Sequence, residues 1–150
     1  MYVDASAIVA ILNREPEAAA LKSAFDANSA KAFVSPLTIF EATISLARAK
    51  VLARDKNQKP SRADIDAAHK VVRAFLEANG VKEIPVLADI GRLAIETAAT
   101  YGKAVGHPAD LNFGDCFVYA CAKAYRAPLL FKGDDFTKTD IQSALVDPSA

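Results

Sequence analysis

Short apolar runs alternate along the chain with longer segments whose apolar residues recur every three or four positions. The short runs MYVD, KAFVS, VKEIPV and PLLF predict strands. The longer, alanine-rich segments predict helices: SAIVAILN, EPEAAALKSAFDAN, PLTIFEATISLARAKVLA, SRADIDAAHKVVRAFLEANG, ADIGRLAIETAATYGKA and FGDCFVYACAKAYRA. Strands that alternate with helices are typical of an α/β fold, in which helices cover a parallel sheet.

Residues with capping and turn preferences predict where these helices begin and end. Ser6 is the predicted N-cap of the first helix, and Pro16 lies near the first turn of the second. Ser61 and Asp64 form a capping signature, and Gly80 ends the same helix. The polar stretch RDKNQKP predicts a surface loop, KGDDF a turn and TKTDIQSAL a short element near the end.

Length and composition indicate one domain, residues 1–150, with a substantial core, because 52% of the residues are hydrophobic. No apolar run approaches the ~18 residues of a membrane span, and no signal peptide is recognisable. We therefore expect a soluble, cytoplasmic protein. The 18 basic residues balance the 18 acidic ones, which argues against binding nucleic acid through bulk charge alone.

The cysteines and histidines give little support for a zinc site or a disulfide. Cys116 and Cys121 are five residues apart on a predicted helix and point in different directions, so buried thiols are expected. His69 is predicted to lie on a helix surface, and His107 precedes a proline in a loop. The chain contains neither C-x-x-C nor H-E-x-x-H spacing.

Acidic residues, in contrast, follow the predicted strands. Asp4 ends the first strand without a solvated neighbour, although burial of an unpaired carboxylate costs several kcal/mol. Glu41 lies in the first turns of a helix, Asp115 opens another, and either Asp134 or Asp135 follows the last strand. Each aspartate could instead serve as a helix cap. Ligands in open α/β sheets bind beyond the carboxyl ends of the strands, so these side chains could meet at one edge.

A group of carboxylates cannot all ionise in a buried site unless a cation lies among them. Oxygen ligands alone suit a hard cation such as Mg²⁺ or Mn²⁺. The sequence has no phosphate-binding G-x-x-x-x-G-K-[ST] or G-x-G-x-x-G motif and no G-x-S-x-G nucleophile motif. Carboxylates with Mg²⁺ but without such motifs favour metal-assisted hydrolysis of a phosphodiester.

The segments YVDASAIVAIL, SPLTIFEA and HPADLNFGDCFVYACAKAYRAPLLFKGDDFTKTDI resemble the PIN-domain ribonucleases, specifically the VapC toxins of type II toxin–antitoxin pairs. The resemblance covers essentially the whole chain in order, and LNFGDCF followed by PLLFKGDDF is its most specific part. It implies an α/β/α sandwich around a parallel sheet of about four to five short strands, and a Mg²⁺- or Mn²⁺-dependent endoribonuclease that acts on RNA.

The resemblance also implies roles for individual residues. Asp4 and Asp115 would ligate the metal directly, while Glu41 and the fourth acid would complete the site directly or through water. Asp134 is favoured as the fourth acid because it is nearer the strand end; Asp135 could cap the following turn. Supporting roles fall to two further residues, Ser6 beside Asp4 and Asn112, for which a loop hydrogen bond is an equal alternative. Basic residues that could guide RNA are Lys132, Arg126, Lys103 and Arg48.

The expected partners are a VapB-type antitoxin that covers the acidic pocket, an RNA substrate and a second copy of the chain. The apolar residues of the first two helices, which are more numerous than one small core is expected to need, also favour a homodimer. Two rival hypotheses remain: a non-catalytic regulatory or binding module on the same fold, and a metal-dependent phosphatase. The phosphatase would need a D-x-D motif after the first strand, where the chain has DAS.

Overall fold

The computed structural model describes residues 1–145; the predicted domain also includes residues 146–150, which lie outside the described residues. Within the described part, six α-helices are present: Ala5–Asn13 (α1), Ala18–Asn28 (α2), Pro36–Arg54 (α3), Arg62–Ala78 (α4), Ala88–Tyr101 (α5) and Phe113–Ala124 (α6). None of these helices is long and apolar enough to cross a membrane. Each of the six predicted helices is therefore found, with small shifts at its ends.

The strands form one parallel sheet in the described part of the chain. They are Tyr2–Val3 (β1), Phe33–Val34 (β2), Lys82–Glu83 (β3) and Leu129–Leu130 (β4), and their order is β3-β2-β1-β4. Ser143 adds an isolated parallel bridge to Leu129 beside β4. The predicted α/β class and parallel sheet are confirmed, and β1 lies in the interior of the sheet.

Successive residues of the strands point into two separate cores, which accounts for the three layers. Val3 and Leu130 pack with buried residues of α1 to α4 on one face of the sheet. Tyr2 and Leu129 pack with buried residues of α5 and α6 on the other face. Because side chains alternate along a strand, two apolar residues in a row supply one to each core. This arrangement is the predicted α/β/α sandwich.

Local sequence signals explain most helix boundaries. Ser35 caps α3 ahead of a proline at its first position, and Ser61 with Asp64 forms the predicted capping box of α4. Gly80, with φ of +62°, follows the end of α4, as expected for a glycine just past a helix. Pro16 precedes α2 rather than lying in its first turn, since α2 begins at Ala18.

The burial pattern bears on two expectations. Cys116 and Cys121 are free and buried, as predicted. Among the large apolar side chains of α1 and α2, Ile8, Leu21 and Phe25 are buried in the core, and Val9, Ile11 and Leu12 are partly buried against it. The large apolar side chains that are exposed in residues 1–145 all belong to α3 or to later parts of the chain: Phe40, Leu52, Val71, Leu87, Ile95, Val105, Phe113 and Tyr125.

Candidate active site

The carboxyl ends of β1 and β4 bring the two ends of the chain together. The backbone N–H of Asp4 donates to the carbonyl of Leu130 at 2.9 Å, which continues the pairing of β1 with β4 by one residue. The chain leaves β1 into α1 and leaves β2 into α3, so Asp4 and the first turns of α3 meet at this edge. The sheet therefore places the acidic residues of distant segments in one region, beyond the carboxyl ends of the strands, where ligands of open α/β sheets bind.

Asp4 is both the most buried acid of this region and the cap of α1. Its carboxylate accepts hydrogen bonds from the backbone N–H of Ser6, at 3.0 Å, and from the Ser6 hydroxyl. Only 6% of Asp4 is exposed. The prediction that Ser6 is the N-cap is wrong, because Asp4 has the extended backbone and the side-chain bond of an N-cap.

Ser6 instead links Asp4 to the segment after β4. Its hydroxyl donates to Asp4 and accepts a hydrogen bond from the backbone N–H of Lys132, at 2.9 Å. One hydroxyl thus uses its donor and acceptor capacity to hold the Asp4 carboxylate in register with the last strand. This contact gives a structural basis for the supporting role that the sequence pattern suggested for Ser6.

Asp115 and Asn112 form a reciprocal capping box at the start of α6. The Asn112 backbone N–H donates to the Asp115 carboxylate at 2.8 Å, and the Asp115 backbone N–H donates to the Asn112 side chain at 3.1 Å. The side-chain oxygen of Asn112 is therefore engaged by the helix start, which corresponds to the loop hydrogen bond considered as its alternative role. One oxygen of Asp115 remains outside the capping box.

Glu41 reaches the start of α6 because residue 114 is a glycine. A Cβ atom at Gly114 would lie 3.0 Å from the Glu41 carboxylate and 3.3 Å from the Asn112 side-chain oxygen. That spacing is tighter than most Cβ contacts, so an alanine here would require the Glu41 carboxylate to shift by a few tenths of an ångström. The sequence analysis missed Gly114; its signal was a glycine in the first turn of a helix, where alanine is the better helix former.

The acids of this edge raise one another's pKa. Burial, followed by the charges of Asp4 and Asp115, raises the pKa of Glu41 to about 7. Burial also raises the pKa of Asp115 to about 6, with contributions from Asp4 and Asp135 and against the lowering effect of the Asn112 N–H. Burial raises the pKa of Asp4 as well, although its hydrogen bonds with Ser6 oppose the shift. The group is a mutually repelling cluster of carboxyls.

The pKa shifts identify Asp135, rather than Asp134, as the fourth acid of this carboxyl cluster. The charge of Asp135 contributes to the raised pKa values of both Asp4 and Asp115. Asp134 lies at the start of a short 3₁₀-helix, Asp135–Lys138, where its side chain forms no capping bond. It lines a neighbouring cavity together with Thr137. The predicted preference for Asp134 thus receives no support from these contacts.

Several basic residues expected near the RNA are already engaged or distant. The Lys132 ammonium pairs with Glu15 and, at 3.3 Å, with Glu17 in the α1–α2 turn. Lys103 lies 3.9 Å from an oxygen of Asp110. Arg126 follows the far end of α6, on the order of 15 Å along the helix from Asp115. Of the four basic candidates, Arg48 and Arg126 are exposed and have no ion-pair partner among residues 1–145, and Arg48 lies on α3, the helix that carries Glu41.

The donor set suits a hard divalent cation. Asp4, Glu41, Asp115 and Asp135 offer oxygen atoms, and none of them pairs with a basic side chain within residues 1–145. In the same part of the chain, no three acidic, histidine or cysteine side chains already converge as a finished set of metal ligands. The oxygen donors therefore fit Mg²⁺ or Mn²⁺ in chemistry and charge.

Comparison with known proteins agrees with this fold. The profile of the PIN domain family matches residues 1–142. A VapC ribonuclease of Rhizobium meliloti is 42% identical over 141 residues, which cover 93% of this chain and 98% of that protein. Ribonuclease VapC28 of Mycobacterium tuberculosis is 41% identical over 145 residues, covering 97% of this chain and 98% of the relative.

A solved structure shows the same architecture at low sequence identity. Mycobacterium tuberculosis VapC20, described as a sarcin–ricin loop cleaving toxin, superposes with a TM-score of 0.65 at 17% identity and covers 93% of this chain and 95% of its own. This likeness confirms the fold. With the family profile and the close relatives, it establishes that the chain belongs to the PIN-domain family and, within it, to the VapC ribonucleases.

Proposed function

We propose that this protein is the toxin of a type II toxin–antitoxin pair, a Mg²⁺-dependent endoribonuclease that hydrolyses RNA phosphodiesters in the cytoplasm. Mn²⁺ is the alternative ion. The observation that carries the proposal is the group of carboxyls at the sheet edge, which have raised pKa values and no basic partner among the described residues. Its relatives, named VapC ribonucleases, support the same reaction class.

In this proposal Asp4 and Asp115 hold the ion, and Glu41 and Asp135 complete the site directly or through water. Ser6 keeps the Asp4 carboxylate pointed into the site through the hydrogen bonds described above. When bound, the ion supplies a Lewis acid that activates water and offsets charge on the phosphate. Gly114 leaves room for the Glu41 carboxylate beside the start of α6, where Asp115 lies.

The family also supports two protein partners. A VapB-type antitoxin would inhibit the toxin by covering the acidic edge, and an arginine from it would neutralise the unpaired carboxylates. A homodimer is supported by exposed apolar side chains such as Ile95 and Val105, which are 72% and 56% exposed. Sedimentation of the purified toxin, alone and with its antitoxin, measures both assemblies.

Replacement of Asp4 by asparagine tests the proposed reaction. We expect the wild-type protein to cleave RNA with Mg²⁺ or Mn²⁺ and to lose activity in EDTA, and Asp4→Asn to be inactive while its circular dichroism is unchanged. Cleavage by Asp4→Asn at the wild-type rate would contradict the assigned site. If the wild-type protein cleaves no RNA with either ion, hydrolysis of a small phosphomonoester would support the phosphatase and its absence the binding module.

A further inference from the structure

A groove extends from the acidic edge along the outside of α3. It has a volume of about 580 Å³, and it is lined on one side by Phe40, Glu41 and Arg48 of α3 and on the other by Phe113 and Gly114 of α6. Glu41 and Gly114 also belong to the acidic site, because the glycine makes room for the carboxylate. The groove is therefore a direct continuation of the candidate active site.

Two aromatic rings stand on the opposite walls of this groove and face solvent. Phe40 is 67% exposed and Phe113 is 72% exposed. The ring of Phe113 is braced by Phe117, one helical turn further along α6, at a centroid distance of 5.0 Å. Exposed phenylalanines are costly for a free surface, and flat rings beside a phosphodiesterase site are suited to stack against nucleic acid bases.

Positive charge follows the aromatic rings along the groove. Phe40, Ile44 and Arg48 are spaced four residues apart on one face of α3, which covers about 12 Å of the helix axis. Beyond Arg48, an adjoining cavity is lined by Lys56 and Lys59 of the loop after α3. Arg48, Lys56 and Lys59 have no ion-pair partner among residues 1–145.

We propose that this groove binds the unpaired strand of the RNA next to the cleaved bond, with bases stacked on Phe40 and Phe113 and a phosphate on Arg48. The inference rests on the proposed ribonuclease function, and it adds which residues beyond the acidic cluster hold the RNA strand. Bases in a duplex are stacked on each other and cannot lie on protein rings. The cationic end of the groove also offsets the repulsion between phosphates and the acidic site.

RNA binding by point variants tests the proposal. The probe is a short unstructured fluorescent RNA, measured by anisotropy in EDTA so that it is not cleaved. We expect Phe40→Ala and Phe113→Ala each to weaken binding about 5- to 150-fold, the range for loss of one base–aromatic stack. Phe40→Trp and Phe113→Trp should retain binding. Arg48→Ala should reduce the slope of log affinity against log salt by about 0.7.

Matched controls come from the same molecule. Leu87→Ala removes another exposed apolar side chain, 58% exposed at the start of α5, and should leave RNA binding unchanged. Lys50→Ala removes an exposed charge from α3 two residues beyond Arg48, on a different face, and should change the salt slope less. The same RNA annealed to its complement should bind weakly to every variant and should not be sensitive to Phe40 or Phe113.

The outcomes separate this inference from the proposed function. If the wild-type protein cleaves RNA but Phe40→Ala and Phe113→Ala bind and cleave the single strand normally, the groove assignment is wrong and the active site stands. If these variants instead lose self-association or antitoxin binding while RNA binding is unchanged, the groove is a protein interface, which also overturns the inference. Absence of cleavage by the wild-type protein rejects the proposed function itself.

Discussion

Asp64 and Asp115 occupy the same local motif, and their environments differ completely. Each is the third residue of a helix, and each closes a capping box with the residue that precedes the helix, Ser61 or Asn112. The pKa of Asp64 is lowered to about 2 by its hydrogen bonds to Ser61 and by Arg54. The pKa of Asp115 is raised to about 6.

The surroundings beyond the cap account for this difference. Asp64 lies at the surface beside the Arg54 guanidinium, so its charged form is favoured. Asp115 is partly buried and faces other acids, so its charged form is disfavoured. A capping box therefore identifies a helix start, while the absence of a cation beside the carboxylate marks the functional site.

The largest effect expected from this comparison concerns catalysis. We expect Asp115→Asn to lower RNA cleavage about a thousandfold or more, because loss of an ion ligand forfeits several kcal/mol of transition-state stabilisation. Asp64→Asn replaces the same carboxylate by an amide in the same motif and should cleave at nearly the wild-type rate. Equal losses in the two variants, measured with Mg²⁺ on one RNA, would mean that Asp115 acts only as a helix cap.

Divalent ions should stabilise the protein in a pH-dependent way. At a hundredfold excess over its dissociation constant, Mg²⁺ or Mn²⁺ should add about 3 kcal/mol to the free energy of unfolding. We expect this gain at about pH 8 and little of it at about pH 5, where protons compete for Glu41 and Asp115. Denaturant titrations with each ion and with EDTA measure it; a gain that is independent of pH would indicate binding elsewhere.

Without the ion, the acidic cluster should destabilise the protein at neutral pH. Because the folded-state pKa of Glu41 is raised to about 7, its contribution to stability is present below pH 4.5, the ordinary value, and is lost as the pH rises through about 7. We expect Glu41→Gln to increase the free energy of unfolding in EDTA at about pH 8 by about 1–2 kcal/mol, after allowance for solvent screening.

Asp64→Asn is the opposite control for this stability prediction. Its folded-state pKa is lowered to about 2, so its stabilising contribution is present above 3.8 and is lost as the pH falls through about 2. The Asp64 variant should therefore be less stable than the wild-type protein at neutral pH. If Glu41→Gln and Asp64→Asn both stabilise the protein, or if neither does, the acidic site and the surface cap do not differ in the stability of their charged carboxylates.

The smallest effect should come from the ion pair of the Lys132 side chain with Glu15. This pair helps to fix Lys132, whose backbone N–H donates to the Ser6 hydroxyl. We expect Lys132→Met to weaken Mn²⁺ binding and cleavage only about 2- to 5-fold, in line with a partly exposed ion pair of less than 1 kcal/mol. Lys22→Met breaks an exposed pair with Asp26 on α2 and should leave both unchanged. Calorimetric titration of Mn²⁺ compares them; a loss above tenfold would give Lys132 a direct role.

The main elements of the fold could be predicted from the sequence because each has a strong local signal. Apolar spacing marks the helices, and Ser61 with Asp64 fixes the start of α4. Ser6 was assigned the cap of α1 because serine is a common N-cap; the cap is Asp4, one position ahead of the helix. Asp4 and Ser6 are both common N-cap residues, so local preference does not show which of them caps α1. The contact that engages the Ser6 hydroxyl comes from the distant Lys132 N–H, which the local sequence does not reveal.

The site was predictable as a set of acids at one sheet edge, and the finer geometry was not. The position of Asp4 at a strand end could be read directly, but the choice between Asp134 and Asp135 depends on which way a short 3₁₀-helix turns. The space for Glu41 depends on the missing Cβ at Gly114, which lies about half of the chain further on and meets Glu41 where α3 contacts α6. Contacts between distant segments cannot be read from the spacing of apolar residues in the sequence.

The hydrogen bond between Ser6 and Lys132 spans 126 positions and has a consequence for synthesis. The ribosome makes Asp4 and Ser6 first, but β1 gains its neighbour β4 and the Lys132 amide only when most of the domain has been translated. Contacts between such distant residues also form late because closing so long a chain is entropically costly. The acidic edge is therefore completed only when both ends of the domain have been made, so a chain that is still being translated holds Asp4 without the contacts that fix it in the folded protein.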